Sequence, residues 1–287
     1  MDPRLAEKYE CLRREIRSYG SALVALSGGI DSSLVAFVAG QELGANALAV
    51  TSGSESLKSA DLQLAQEITA EWGLRHRVIK TREIENESYA RNPENRCYFC
   101  KSTLYGDLKA IAAREGIATI LNGTNTDDLG DYRPGLTAAT EHAVQSPLLA
   151  CKFSKSDVRE LAVFLKLRNA AKPAAACLSS RVPYGMRISG TVLRRIEAAE
   201  EVLSQLGLSQ FRVRHHGLVA RLEVEPAAFQ TVVEHRLAIE EKLRGLGYRY
   251  VALDLGGFRS GSLNDTIFED KEVRPVPTLS HSSGEFP

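Results

Sequence analysis

The chain has no apolar run approaching the ~20 residues that a membrane helix needs, so no spanning segment and no membrane partner are expected. It has no excess charge of either sign: 36 Lys and Arg balance 36 Asp and Glu over 287 residues. Without an overall field, DNA and RNA are not favoured, and no nucleic-acid partner is expected. The charged start, MDPRLAEKYE, has no apolar signal segment, so the expected location is cytoplasmic. Internal repeats and low-complexity segments are absent. Five cysteines are too few, and odd in number, for a disulfide scaffold in so long a chain. In a reducing compartment such thiols are buried, catalytic or metal-bound. What is present, 44% hydrophobic and 25% charged residues, is ordinary for a globular protein of about two domains.

Short apolar segments alternate with amphipathic ones in the first part of the chain. Residues 21–26, 46–51, 75–80 and 118–122 read as strands. Helices are expected over 5–19, 31–42, 59–72, 101–115 and 154–167. That alternation predicts an α/β fold with a doubly wound parallel sheet. The pattern changes after about residue 186. A helix over 191–206, strands over 211–215 and 218–224, a helix over 226–246 and a strand over 248–255 suggest a second, smaller α+β domain. The expected divisions are 1–185, 186–264 and a polar tail, 265–287, expected to be disordered.

The strongest motif is Ser27-Gly28-Gly29-Ile30-Asp31-Ser32-Ser33, between a buried strand and a helix. Its glycines let the backbone approach a phosphate, and the helix N-terminus favours negative charge. Ser27, Ser32 and Ser33 add hydroxyl donors. No Gly-Lys-Ser/Thr follows, so this is not the P-loop kinase motif. Asp31 is the candidate Mg²⁺ contact, because a hard cation prefers carboxylate oxygens. A second polar loop, Asn122-Gly123-Thr124-Asn125-Thr126-Asp127-Asp128-Leu129-Gly130, follows the fourth strand. Its place at a strand's carboxyl end faces the crevice where open α/β sheets bind ligands. Asp127, Asp128 and Asp131 are candidates for Mg²⁺ and pyrophosphate, and Arg133 for a phosphate; turn chemistry explains the same residues.

Cys97 and Cys100 form a CxxC at a helix start, and Cys177 lies in PAAACLSSR. A CxxC fits a redox pair, half of a zinc site or part of an iron–sulfur site. Cys11 and Cys151 have apolar or periodic neighbours and are expected to be inert buried thiols. Arg212 and Arg214 share one face of a strand and suit a phosphate, as they would a solvent-facing edge. Arg181 lies near Cys177 and is a further candidate. Glu200, Glu223 and Glu225 are candidates for a carboxylate metal site, though an exposed face explains Glu223 and Glu225 equally well.

SGGIDSS resembles the PP-loop of the adenine nucleotide α-hydrolases. The resemblance implies ATP cleavage to AMP and pyrophosphate, with Val50 to Ser54, including Thr51 and Ser52, against the adenine. SGGIDSS together with NPENRCYFCK, GTNTDDLGDYRPG, PAAACLSSRVPYG and RVRHHG is similar to the LarE family of ATP-dependent sulfur transferases, over roughly residues 5 to 262. That resemblance implies activation of the carboxylates of pyridinium-3,5-biscarboxylic acid mononucleotide as acyl-adenylates. Sulfur is then installed on the way to the nickel-pincer nucleotide cofactor of lactate racemase. It also implies a small-molecule substrate, and a homo-oligomer is expected. One form of the family gives up sulfur from a single cysteine, here Cys177. The other holds a [4Fe–4S] cluster on three, here Cys97, Cys100 and Cys177, and this form is favoured because a lone sacrificial cysteine needs no further thiols nearby. A tRNA thiolase using the same ATP chemistry is the rival enzyme, but no surplus CxxC or basic balance supports it.

Overall fold

The computed structural model describes residues 1–130, 134–173, 176–259 and 261–263. Strands β1 (Ala22–Ala25), β2 (Ala47–Ser52), β3 (His76–Ile79) and β4 (Thr119–Leu121) form one all-parallel sheet in the order β3-β2-β1-β4. The helices of this part are α1 (Pro3–Ser18), α2 (Ile30–Leu43), α3 (Ser59–Glu71), α4 (Glu87–Ala90), α5 (Arg96–Glu115), α6 (Pro134–Glu141), α7 (Pro147–Ala150) and α8 (Lys155–Phe164). Side chains alternate along each strand, and both faces are covered. Val24 and Ala49 pack with Leu5, Leu34 and Leu161 from α1, α2 and α8. Leu23, Leu48 and Val50 pack with Tyr105, Leu108 and Ala138 from α5 and α6. Burial on both faces is why β1, β2 and β4 read as continuous apolar runs, whereas β3, at the sheet edge, leaves Arg77 and Val78 exposed. The doubly wound parallel architecture expected from the sequence is therefore the one observed.

The strand order reverses between β1 and β4. Their carboxyl ends open the crevice where such sheets bind ligands. The loops leaving those two strands are the two polar motifs. They meet closely: a Cβ on Gly123 would lie 2.6 Å from the Ser32 nitrogen and 2.8 Å from the Asp31 carbonyl carbon.

The smaller sheet has the order β5-β6-β7, with β5 (Phe211–His216) antiparallel to β6 (Val219–Val224) and β7 (Tyr250–Leu253) parallel to β6. Gly217, at φ +65°, makes the hairpin turn. Helices α9 (Gly190–Ser204), α10 (Phe229–Glu234) and α11 (Arg236–Gly245) cover it, with Leu203, Val213, Leu222, Val232 and Leu243 in its core. A fourth cluster, Tyr89, Leu178, Val182, Ile188, Leu193 and Ile196, lies where α4, the segment after Cys177 and α9 meet.

Several expectations are corrected. Helix α5 starts at Arg96 rather than Lys101, so Cys97 and Cys100 sit on its first turns. The helix expected over 226–246 is broken at His235. Helices α6 and α7 carry no strong periodicity and were not expected. Cys11 and Cys151 are not separate thiols: a disulfide joins them, their Cα atoms 5.8 Å apart across 140 residues. Only the fold brings α1 over the end of α7, so spacing carries no sign of the pair. Asp131, Arg133 and the expected disordered tail lie outside the described residues. No helix among the described residues is long and apolar enough to cross a membrane.

Candidate active site

The phosphate loop is built by two close backbone approaches. Gly28 is at φ +74°, and a Cβ there would meet the Asp61 carbonyl oxygen at 2.6 Å. Gly29 is the N-cap of α2 and offers no side-chain cap, so the first amides of that helix remain available to an anion. Within the loop, Ser32 Oγ donates to the Gly29 carbonyl at 3.1 Å and lies 3.1 Å from Ser27 Oγ. Ser33 is fully buried and accepts from Asn169 Nδ2 at 2.8 Å, so its hydroxyl faces the protein rather than a ligand. Asp31 forms an ion pair with Lys155 and accepts from Asn125 Nδ2 at 3.2 Å. The backbone N–H of Lys155 donates to Asp127 at 2.8 Å, so Asp31 and Asp127 flank one lysine.

Those two carboxylates, with the Asn125 amide oxygen nearby, are the hard-oxygen donors that suit Mg²⁺. Asp128 instead accepts the Asn125 N–H at 3.0 Å. Thr124 N–H caps Asn122 Oδ1 at 3.0 Å, which is turn chemistry. Thr51 is buried with its hydroxyl 2.9 Å from His76 Nε2, so only Ser52 of that pair stands at the strand end. Sequence reasoning missed Lys155 and Lys172. Lys172 Nζ donates to the Gly28 carbonyl at 3.0 Å and to Asp61 at 2.7 Å. Lys155 belongs to no motif and Lys172 only heads the Cys177 stretch; the folding of distant segments onto the loop reveals their place.

Cys97, Cys100 and Cys177 carry thiols outside the disulfide. The segment before the CxxC clamps the segment after Cys177. Tyr89 and Ser179 hydroxyls meet at 2.5 Å, and Asn92 Nδ2 donates to the carbonyls of Val182, Pro183 and Met186 at 3.2, 2.7 and 3.1 Å. All three cysteines act electrostatically on Lys101, whose ammonium they and Tyr105 hold up against the lowering effect of burial. Burial, followed by Glu83, pushes the Cys100 thiol up. Among the described residues, no three Cys, His, Asp or Glu side chains stand close enough for one metal ion. A three-ligated [4Fe–4S] cluster asks for something else, since each thiolate binds a different iron. The three thiols come from two clamped segments, and all lie within electrostatic reach of Lys101.

The arginines separate into two kinds. Arg181 is 2% exposed and fully engaged. It reaches Glu200 at 2.8 and 3.3 Å and donates to the Ala176 and Cys177 carbonyls at 2.7 and 3.2 Å. Arg214 forks onto Glu223 with two 2.9 Å bonds and donates to the Ser180 carbonyl at 2.6 Å and Ser262 at 2.7 Å. Arg212 has no carboxylate partner among the described residues; it stacks 4.8 Å above Phe258 and donates to the Arg259 carbonyl at 3.3 Å. Burial, then Arg214 and Arg181, bring it down to about 10. An anion is what that guanidinium lacks. The expected Glu200, Glu223 and Glu225 metal site is not formed among the described residues. Glu200 is taken by Arg181 and Lys58, Glu223 by Arg214 and Arg221, and Glu225 by Gln210.

The domain family described as asparagine synthase matches residues 9–94, which contain the phosphate loop. The pyridinium-3,5-bisthiocarboxylic acid mononucleotide synthase of Lactiplantibacillus plantarum is 37% identical over 264 residues, covering 92% of this chain and 96% of that one. The chain belongs to the LarE family. As a PP-loop member of that family it is an ATP-dependent enzyme. An uncharacterised protein of Synechocystis sp. is 44% identical over 92% of this chain and 99% of its own length. One from Methanocaldococcus jannaschii is 27% identical over 83% of this chain and 90% of its own. The LarE motifs thus span both sheets, from the loop after β1 to the arginines of β5.

Proposed function

We propose that this chain adenylates the carboxylates of pyridinium-3,5-biscarboxylic acid mononucleotide and converts them to thiocarboxylates, with sulfur delivered at Cys97, Cys100 and Cys177. The observation that carries the reading is the joining of the loop after β2 to the Cys177 segment, through the Ser56 carbonyl and the Leu178 N–H at 2.9 Å, in a fold that also clamps the CxxC segment to the residues after Cys177. In the first step a substrate carboxylate oxygen attacks the α-phosphorus of ATP, and pyrophosphate leaves. Gly28, Gly29 and the α2 amides hold the phosphates, and Asp31 and Asp127 would hold Mg²⁺. Lys155 and Lys172 balance the charge that develops on pyrophosphate. Arg212 receives the substrate phosphate, and Arg181 and Arg214 act as staples that fix Cys177 and Ser180. In the second step sulfide adds to the acyl carbon and AMP leaves, giving the thiocarboxylate. Cys97, Cys100 and Cys177 would hold a [4Fe–4S] cluster, which would supply that sulfide. The setting proposed is a cytoplasmic homo-oligomer acting on a small molecule, without nucleic acid.

Two measurements test this. Pyrophosphate release from ATP should depend on the pyridinium mononucleotide and disappear in Asp31→Asn without a change in the unfolding temperature. Anaerobically purified protein should show a broad absorbance near about 400 nm, as thiolate-bound iron–sulfur sites do. Release without that substrate, or normal release by Asp31→Asn, would refute the assignment.

A further inference from the structure

A buried carboxylate, Glu83, is bonded to the loop after β2, and neither step above uses it. Glu83 is 3% exposed and makes no ion pair among the described residues. Its oxygens accept hydroxyls instead: Ser56 at 2.9 Å and Thr81 at 2.6 Å. Each of those is backed by a further hydroxyl, Ser56 by Ser54 from the loop after β2 at 2.8 Å and Thr81 by Ser52 at the end of β2 at 2.5 Å. The Ser56 carbonyl accepts the N–H of Leu178, the residue after Cys177, at 2.9 Å. Glu83 also lies within electrostatic reach of Cys100 and Tyr89. One carboxylate therefore grips the nucleotide-side loop and, through a single peptide group, the Cys177 segment.

We propose that Glu83 is a positioning residue that clamps Ser56, keeps Cys177 within reach of Cys97 and Cys100, and couples that placement to the ordering of residues 52–56 by nucleotide. The inference rests on the three-cysteine reading above. The clamp needs hydrogen-bond partners rather than charge. A glutamine accepts one hydroxyl through Oε1 and donates to the other, and a serine pair can reverse its direction to receive it. Alanine removes both partners.

The test uses the full chain before cluster reconstitution, oxidised with diamide. Diamide takes two electrons and two protons from a thiol pair and becomes the hydrazine. Peptide mass spectrometry reads the disulfide from Cys177 to Cys97 or Cys100, with and without ATP. In the wild-type protein the link should form, and ATP should raise its yield. Glu83→Ala should lower the yield about three- to tenfold, as expected for one or two lost hydrogen bonds, and abolish the ATP effect. Glu83→Gln should restore most of both. Ser56→Ala, which keeps the carboxylate, should also lower the yield, and it carries the test if Glu83→Ala does not fold. Wild-type yields in Glu83→Ala or Ser56→Ala overturn the clamp, as does a Gln variant as poor as Ala, which would mean that charge is what matters. If the wild-type protein gives no Cys177 link, the three-cysteine reading fails with it.

Discussion

Replacing Arg212 and Arg214 one at a time should give opposite phenotypes, although both lie on β5 and both were read as phosphate ligands. Arg214→Ala removes two 2.9 Å bonds to Glu223 and the bonds to Ser180 and Ser262. Glu223 is 1% exposed and would retain Arg221, at 3.0 Å, as its cation and the Ser262 hydroxyl at 3.4 Å. Leaving one partner of a buried pair costs about 3–5 kcal/mol. At about 2–4 °C per kcal/mol, that is an apparent unfolding temperature lower by on the order of 10 °C. Arg212→Ala removes a guanidinium that is already crowded by Arg181 and Arg214, so stability should hold or rise. Its cost appears in substrate binding: one charge-assisted contact is about 1.5–3 kcal/mol, or roughly ten- to hundredfold in affinity. Calorimetric titration with the pyridinium mononucleotide and with ATP separates the effects, since Arg212→Ala should spare ATP. Arg212 is a base brought down to about 10, so it is cationic at neutral pH and loses its charge above that value. Wild-type affinity for the phosphate should therefore fall as pH rises through about 10, and part of that fall should vanish in Arg212→Ala. Equal losses for both ligands, or a destabilised Arg212→Ala with unchanged binding, would refute the division of roles.

Two further outcomes follow from packing and charge. Gly123→Ala places a Cβ 2.6 Å from the Ser32 nitrogen, so it should cost about 1–3 kcal/mol of stability and most ATP affinity, measured by thermal unfolding and titration; wild-type affinity would show that the loops do not meet. Burial would raise the Asp157 carboxyl, but Lys8 and the Ser154 hydroxyl and N–H hold it at about 2. Its stabilising contribution is present above the ordinary carboxylate range and is lost as pH falls towards 2. Asp157→Asn should flatten the acid limb of stability and, because Lys155 opens the same helix, that of ATP binding; superimposable limbs would contradict this.

How much the chain discloses differs by region. Strands β1, β2 and β4 were legible because both their faces are buried, which makes them short apolar runs between helical segments, while β3 is a half-exposed edge strand. The phosphate loop was legible because glycines at forced close approaches leave a local signature. Lys155, Lys172 and Asn169 were not, since each reaches the loop from more than 120 positions away. The arginines were located but not sorted. Whether a guanidinium is a ligand or a staple depends on whether a carboxylate from another segment, Glu200 or Glu223, is delivered to it. The same holds for the Cys11–Cys151 bond, whose partners meet only when α1 packs over α7.

The source of the transferred sulfur is tested most directly by peptide mass spectrometry of Cys177 after anaerobic turnover of the reconstituted enzyme. If Cys97, Cys100 and Cys177 together hold the delivering group, Cys177 is recovered as an intact thiol after several turnovers, and Cys97→Ala and Cys100→Ala lose both iron and sulfur transfer. A Cys177 peptide lighter by one H₂S, with full activity in Cys97→Ala, would contradict it.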